Sequence, residues 1–157
     1  MKLEKWALIA EIVGSFAVVV TLIILIVEVR GNTEELRAAT LSDLAGRTQE
    51  MQLLPTRHPQ YADVIARMLA GDELTAAEII QSESSLVATL KLTEESFIAY
   101  RDGRLDEVIW LSRGAVALNL LGTDLNKELY PALRDRGSLV PAFTDWLDAA
   151  LVERYGQ

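Results

Sequence analysis

The chain has 157 residues, no cysteine and a formal net charge of −8 at neutral pH. Without cysteine there can be no disulfide, thiolate zinc site, iron–sulfur cluster or cysteine nucleophile. The first thirty residues balance (Lys2, Lys5 and Arg30 against Glu4, Glu11 and Glu28), so the whole surplus lies on residues 31–157. That surplus keeps a small domain soluble and repels phosphate backbones, which argues against a nucleic-acid partner.

Residues 6–29 read WALIAEIVGSFAVVVTLIILIVEV, apolar between Glu11 and Glu28 apart from Gly14, Ser15 and Thr21. At ~1.5 Å per residue, positions 12–27 span about 24 Å, and extension back to Trp6 gives about 33 Å, enough to cross a hydrocarbon core. The stretch is long for a signal-peptide apolar region, and no small-x-small cleavage site follows it. Residues 1–30 are therefore expected to form a retained N-terminal transmembrane anchor, with Trp6 at the interface.

The residues least suited to lipid share one helical face. Glu11, Val18 and Leu25 fall on one heptad position, and Gly14, Thr21 and Glu28 on its partner. Ala7, Ala10 and Ser15 lie beside the same stripe, within an arc of roughly 140° at ~100° per residue. Phe16, Val19, Ile23 and Ile26 occupy the lipid-like opposite face. Ala10 and Gly14 make a small-xxx-small pair that lets helices approach closely, and an intramembrane glutamate prefers protein or water to lipid. Ala7, Ala10, Glu11, Gly14, Ser15, Val18, Thr21 and Leu25 are thus the expected helix–helix interface.

Residues 31–157 are predicted to be an acidic, soluble, all-helical domain. At Asn32 either a new helix starts, Asn32 and Glu35 having N-cap spacing, or the membrane helix continues. This helix is expected to stop at Pro55. His58-Pro59 opens the next, with Tyr61, Val64, Ile65, Met68 and Leu69 on one face, and Gly71 ends it. Thr75-Ala76-Ala77-Glu78 is a capping box for a long helix reaching Arg101, with Ala77, Ile80, Leu86, Val87, Leu90, Phe97, Ile98 and Tyr100 as apolar positions. Asp106 begins a helix carrying Val108, Ile109, Trp110, Ala117, Leu118 and Leu121, closed by Gly122. Thr123 or Asp124 caps a short helix ending at Arg134-Asp135-Arg136-Gly137, and Ser138 is expected to cap the last, with Phe143, Trp146, Leu147, Ala150 and Leu151 inward. No segment alternates with period two, so no sheet is predicted. The fold class is all-α: one transmembrane helix followed by an irregular bundle of about five to six helices.

Glu11-Ile12-Val13-Gly14-Ser15-Phe16 with the exit Arg30-Gly31-Asn32-Thr33, the stretch from Tyr100 through Gly103, Leu105 and Asp106 to Trp110, and the late Pro141-Ala142-Phe143 together resemble an uncharacterised family of small bacterial single-pass inner-membrane proteins. The resemblance covers most of the chain, which departs from the pattern at Ala10 and in carrying Lys2 and Lys5. It implies a bacterial inner membrane with the helical domain on the cytoplasmic side, and it implies no activity. Tyr100, Gly103, Leu105 and Trp110 are read as a structural hairpin, Gly103 supplying the turn and Leu105 and Trp110 stapling two helices.

The sequence offers little for catalytic chemistry. His58 is the only histidine, too few for a His-rich metal site, and neither a Gly-x-Ser-x-Gly elbow nor a phosphate-binding glycine loop is present. The pairs Glu34-Glu35, Asp72-Glu73 and Glu94-Glu95 read as solvated charge at helix starts. We therefore expect no enzyme, no cofactor and no bound metal. The expected function is a membrane-anchored interaction module, or the accessory subunit of a membrane complex, with membrane lipid and either further copies of itself or other membrane proteins as partners. The alternatives are a small oligomeric channel or proton-conducting pore with a ring of Glu11, and an enzyme using carboxylates alone.

Overall fold

A computed structural model describes residues 2–156, with the backbone alone at positions 2–5, 7–10 and 12. It contains six helices and, among the described residues, no strand: α1 (Lys2–Arg57), α2 (Pro59–Ala70), α3 (Ala76–Arg101), α4 (Glu107–Leu121), α5 (Asp124–Asp135) and α6 (Pro141–Tyr155). The chain divides into two compact units, residues 1–39 and 40–157.

In the first unit the backbone is helical throughout its described length. Of the two possibilities at Asn32, continuation is the one found: no break separates the apolar stretch from the polar residues after it. Glycine at position 31 weakens a helix by only about 1 kcal/mol, and no proline intervenes. Ser15, Thr21 and Thr33 each donate their hydroxyl to the carbonyl four residues back, at 2.8 Å. The hydroxyl hydrogens inside the apolar run are thereby satisfied within the helix itself, as an apolar solvent requires.

The second unit begins with the last turns of α1, where Leu44 enters the core and Leu41 packs against it. Pro55 does not end α1, which runs two residues further to Arg57. Proline removes only the N–H that would have met the Met51 carbonyl, so one hydrogen bond is lost while the chain still turns, and the His58 N–H closes the end on Leu54 O at 2.9 Å. The capping box at Thr75 forms, and Arg67 donates to the same Glu78 carboxylate, tying α2 to the start of α3. The Thr75 backbone N–H, with the Thr75 hydroxyl and Arg67, holds the Glu78 carboxyl below its ordinary range.

The centre of this unit is aromatic. Trp110 of α4 stands 5.3 Å from Phe97 of α3 and 4.6 Å from Trp146 of α6, centroid to centroid, and Phe143 lies 5.5 Å from Phe97. Such tilted and edge contacts contribute about 0.5–1.5 kcal/mol each beyond the area they bury. Gly114 makes the approach of α6 possible: a Cβ there would lie 2.7 Å from Trp146 Cη2.

Two further expected features differ. Ser138 does not cap the last helix; α6 begins at Pro141 with Val140 in the capping position. Its start is instead held by a carboxylate from another helix, because the Val140 N–H donates to Glu94 Oε1. Glu94 is accordingly not solvated charge at a helix start. It lies within α3, is 5% exposed, and takes a second contact from Lys91 Nζ at 2.8 Å. Leu69, Ile80 and Val108, apolar positions of their helices, are exposed.

Replacing Gly114 by Ala should lower unfolding stability by about 1–2 kcal/mol in chemical denaturation, since overpacking outweighs the helix-propensity gain. Equal or greater stability would show that Trp146 yields freely.

Candidate functional site

The helical unit carries an open groove of about 700 Å³. Thr48, Met51, Gln52 and Pro55 from the end of α1 form one wall, with Tyr61 and Ile65 from α2 beside them. Ser85, Thr89, Leu92 and Thr93 from α3 line its floor. Val108, Ile109, Ser112, Arg113 and Val116 from α4 close it. Helical spacing explains the assembly. Ser85, Thr89 and Thr93 repeat every four residues along α3, as do Val108, Ser112 and Val116 along α4. On α4 the opposite side, Trp110, Gly114, Ala117 and Leu121, is buried. One helix thus turns one face to the core and the other to the groove.

Among the described residues Arg113 is the only charged one lining this groove. Its Nη1 donates to Thr48 Oγ1 at 3.0 Å, its one hydrogen-bond partner among the described residues, and the Thr48 hydroxyl in turn donates to Leu44 O at 2.6 Å. Burial pushes the guanidinium pKa down from its ordinary value, although arginine stays charged at neutral pH. The Thr89 and Thr93 hydroxyls donate to carbonyls of their own helix, at 3.0 and 2.9 Å, leaving lone pairs as their remaining polar capacity.

A smaller chamber of about 110 Å³ shares Tyr61, Ile65, Ser85 and Thr89 with the groove, and the Tyr61 and Ser85 hydroxyls hydrogen-bond to each other on that shared wall. Asn126 lines the chamber. Its amide nitrogen donates to Leu120 O at 2.9 Å, while its Oδ1 has no partner among the described residues. The space is sufficient for water to reach that acceptor.

The sequence-based candidates lie elsewhere. Glu11, Gly14, Ser15, Val18, Thr21 and Leu25 are all exposed on α1. A Cβ at Gly14 would meet nothing within 4 Å. The side chains of Ala7 and Ala10 lie outside the described residues. In the hairpin, Tyr100 stacks on Trp110 at 6.1 Å with 14° between planes, Leu105 is buried and Gly103 has φ of 70°. Sequence reasoning missed Arg113. Its signal was a lone cation among Val108, Ile109, Leu111, Ala115, Val116 and Ala117, on a helix with no acid at helical spacing from it to pair with.

Among the described residues Glu94 is the one buried carboxylate, and it is engaged at the start of α6. Tyr130 and Arg134 of α5 both donate to Asp148 of α6, at 2.8 and 3.2 Å. Burial, with the Asp148 hydrogen bond and charge, raises the Tyr130 pKa well above its ordinary value, which makes it a poor proton donor and a structural tie. Among the described residues no group of three or more His, Asp or Glu side chains is arranged to hold a metal.

Comparison with known proteins finds no matching family, no matching curated protein and no matching solved structure.

A raised phenol pKa stabilises the fold fully below the unfolded value of about 10, and that contribution is lost as pH climbs from there towards the folded value. Tyr130→Phe should therefore cost about 1 kcal/mol at pH 7 and flatten the fall in stability between pH 10 and 12, measured by urea unfolding. An unchanged alkaline slope would show that Tyr130 titrates normally.

Proposed function

We propose that this chain is a membrane-anchored interaction module, or the accessory subunit of a membrane complex, whose anchor packs against another helix through Glu11, Gly14, Ser15, Val18, Thr21 and Leu25. The observation that carries the reading is the first unit's uncovered apolar surface. α1 is long and apolar enough to cross a membrane, and every residue from 13 to 29 is exposed. In water a surface of that kind, far above the few hundred Å² a soluble monomer tolerates, drives association or insertion. In a bilayer it is solvated, and the internally bonded Ser15 and Thr21 hydroxyls carry little cost.

Packing through the Glu11 face follows from what lipid cannot do for it. Lipid covers Phe16, Val19, Ile23 and Ile26 well but gains nothing at Gly14 and disfavours Glu11. The membrane is a bacterial inner membrane, with the helical unit on its cytoplasmic side, as the family resemblance implies. Partners are lipid and either a second copy or other membrane proteins.

Gly14 gives a clean test, because its own helix has room for a side chain there. The full chain, released gently from native membranes, should have a mass above that of one copy by native mass spectrometry. Gly14→Leu should shift it to the single chain by about tenfold or more, with helical circular dichroism unchanged. Identical mass distributions for wild type, Gly14→Leu and Glu11→Gln would overturn packing through this face.

A further inference from the structure

We propose that the groove between the end of α1, α2, α3 and α4 binds a single-headed anionic amphiphile, a long-chain carboxylate, with its acid on Arg113 and its chain along Met51, Ile65, Leu92, Ile109 and Val116. This goes beyond the anchor reading and does not depend on it.

Charge complementarity selects this ligand. The walls are aliphatic, with hydroxyls and one amide and a single formal charge, the Arg113 guanidinium. That cation has one neutral partner, the Thr48 hydroxyl on Nη1, so most of its donors remain for a ligand. A guanidinium offers paired parallel N–H bonds matched to a carboxylate. A partly desolvated cation without a counter-charge is costly, and a bound acid relieves the cost. The volume, about 700 Å³, is that of a small-molecule site and not of a folded partner.

The charge count also limits the ligand. Residues 31–157 carry the whole net charge of −8, and the groove supplies one cation. A nucleotide or a multiply phosphorylated headgroup would bring two or more negative charges against that field. One carboxylate is neutralised by Arg113 alone. Val108, 79% exposed, and Val116 flank the mouth, apolar surface that an aliphatic chain would cover.

The test uses the full chain in lipid nanodiscs with a dodecanoate carrying a terminal diazirine, illuminated and mapped by peptide mass spectrometry. Adducts should fall on groove residues such as Met51, Ile65 or Leu92. Unlabelled dodecanoate should compete for them and its methyl ester should not. Arg113→Gln should reduce groove adducts by about tenfold or more, Arg113→Lys should retain part of them, and adducts on residues 13–29 should stay unchanged as an internal control. Ser112→Trp, a substitution at an exposed position on the groove wall, should block labelling and serves if Arg113→Gln does not fold. Equal competition by acid and ester would overturn the proposal, as would labelling confined to residues 13–29.

Discussion

Trp110 is the point on which the helical unit turns. Its indole meets the Phe97 ring of α3, the Tyr100 ring at that helix's last turn and the Trp146 ring of α6, at 5.3, 6.1 and 4.6 Å. Three helices are therefore referenced to one side chain. Two local conditions allow it. Gly103, at φ of 70°, folds α3 and α4 together within a few residues, and Gly114 leaves the gap that Trp146 fills. The Glu94 contact to the Val140 N–H then places the beginning of α6 on the same assembly. Because α4 commits one face to this cluster, its other face, with Ile109, Ser112, Arg113 and Val116, is held in a defined position across from α3 and the end of α1. The groove is a consequence of how the core is pinned.

Much of the fold could be read from the sequence, because its punctuation is strong. Gly71, the Thr75 capping box, Asp106, Thr123 and the Arg134–Gly137 ending all lie where helices end or start. These signals are local, a side chain or a positive φ acting within one turn. What escaped was non-local. Glu94 looks like any exposed helical glutamate until α6 brings the Val140 N–H to it across 46 positions of sequence. Ile80 and Val108 satisfy the apolar periodicity of their helices yet are exposed, since periodicity names a face and not what covers it. Pro55 stops short of ending its helix because losing one hydrogen bond two residues from the terminus is tolerable.

The candidate sites divide in the same way. The Glu11–Leu25 stripe is a sequence pattern on an exposed helix, and the packing proposed for it comes from the chemistry of lipid rather than from a contact within the chain. The Arg113 groove is the reverse. Apart from the lone cation Arg113 on α4, nothing in the local sequence marks it, and it exists only because four helices bring hydroxyls, aliphatic side chains and one guanidinium together. The proposed anchor and the proposed groove ligand address separate questions: how the chain would be held, and what it would take up.

The central claim is that residues 13–29 span a bilayer and leave the helical unit on one side of it. Because the chain has no cysteine, a single Gln60→Cys substitution at an exposed position of α2 reports both points. Bacterial inner-membrane vesicles containing this variant would be washed at alkaline pH and treated, while sealed, with a membrane-impermeant thiol reagent. We expect the chain to remain in the washed pellet, labelled in inside-out vesicles and protected in right-side-out ones. Release of the chain into the alkaline supernatant would contradict the account, because an apolar helix removed by that wash is covered by protein and not by lipid.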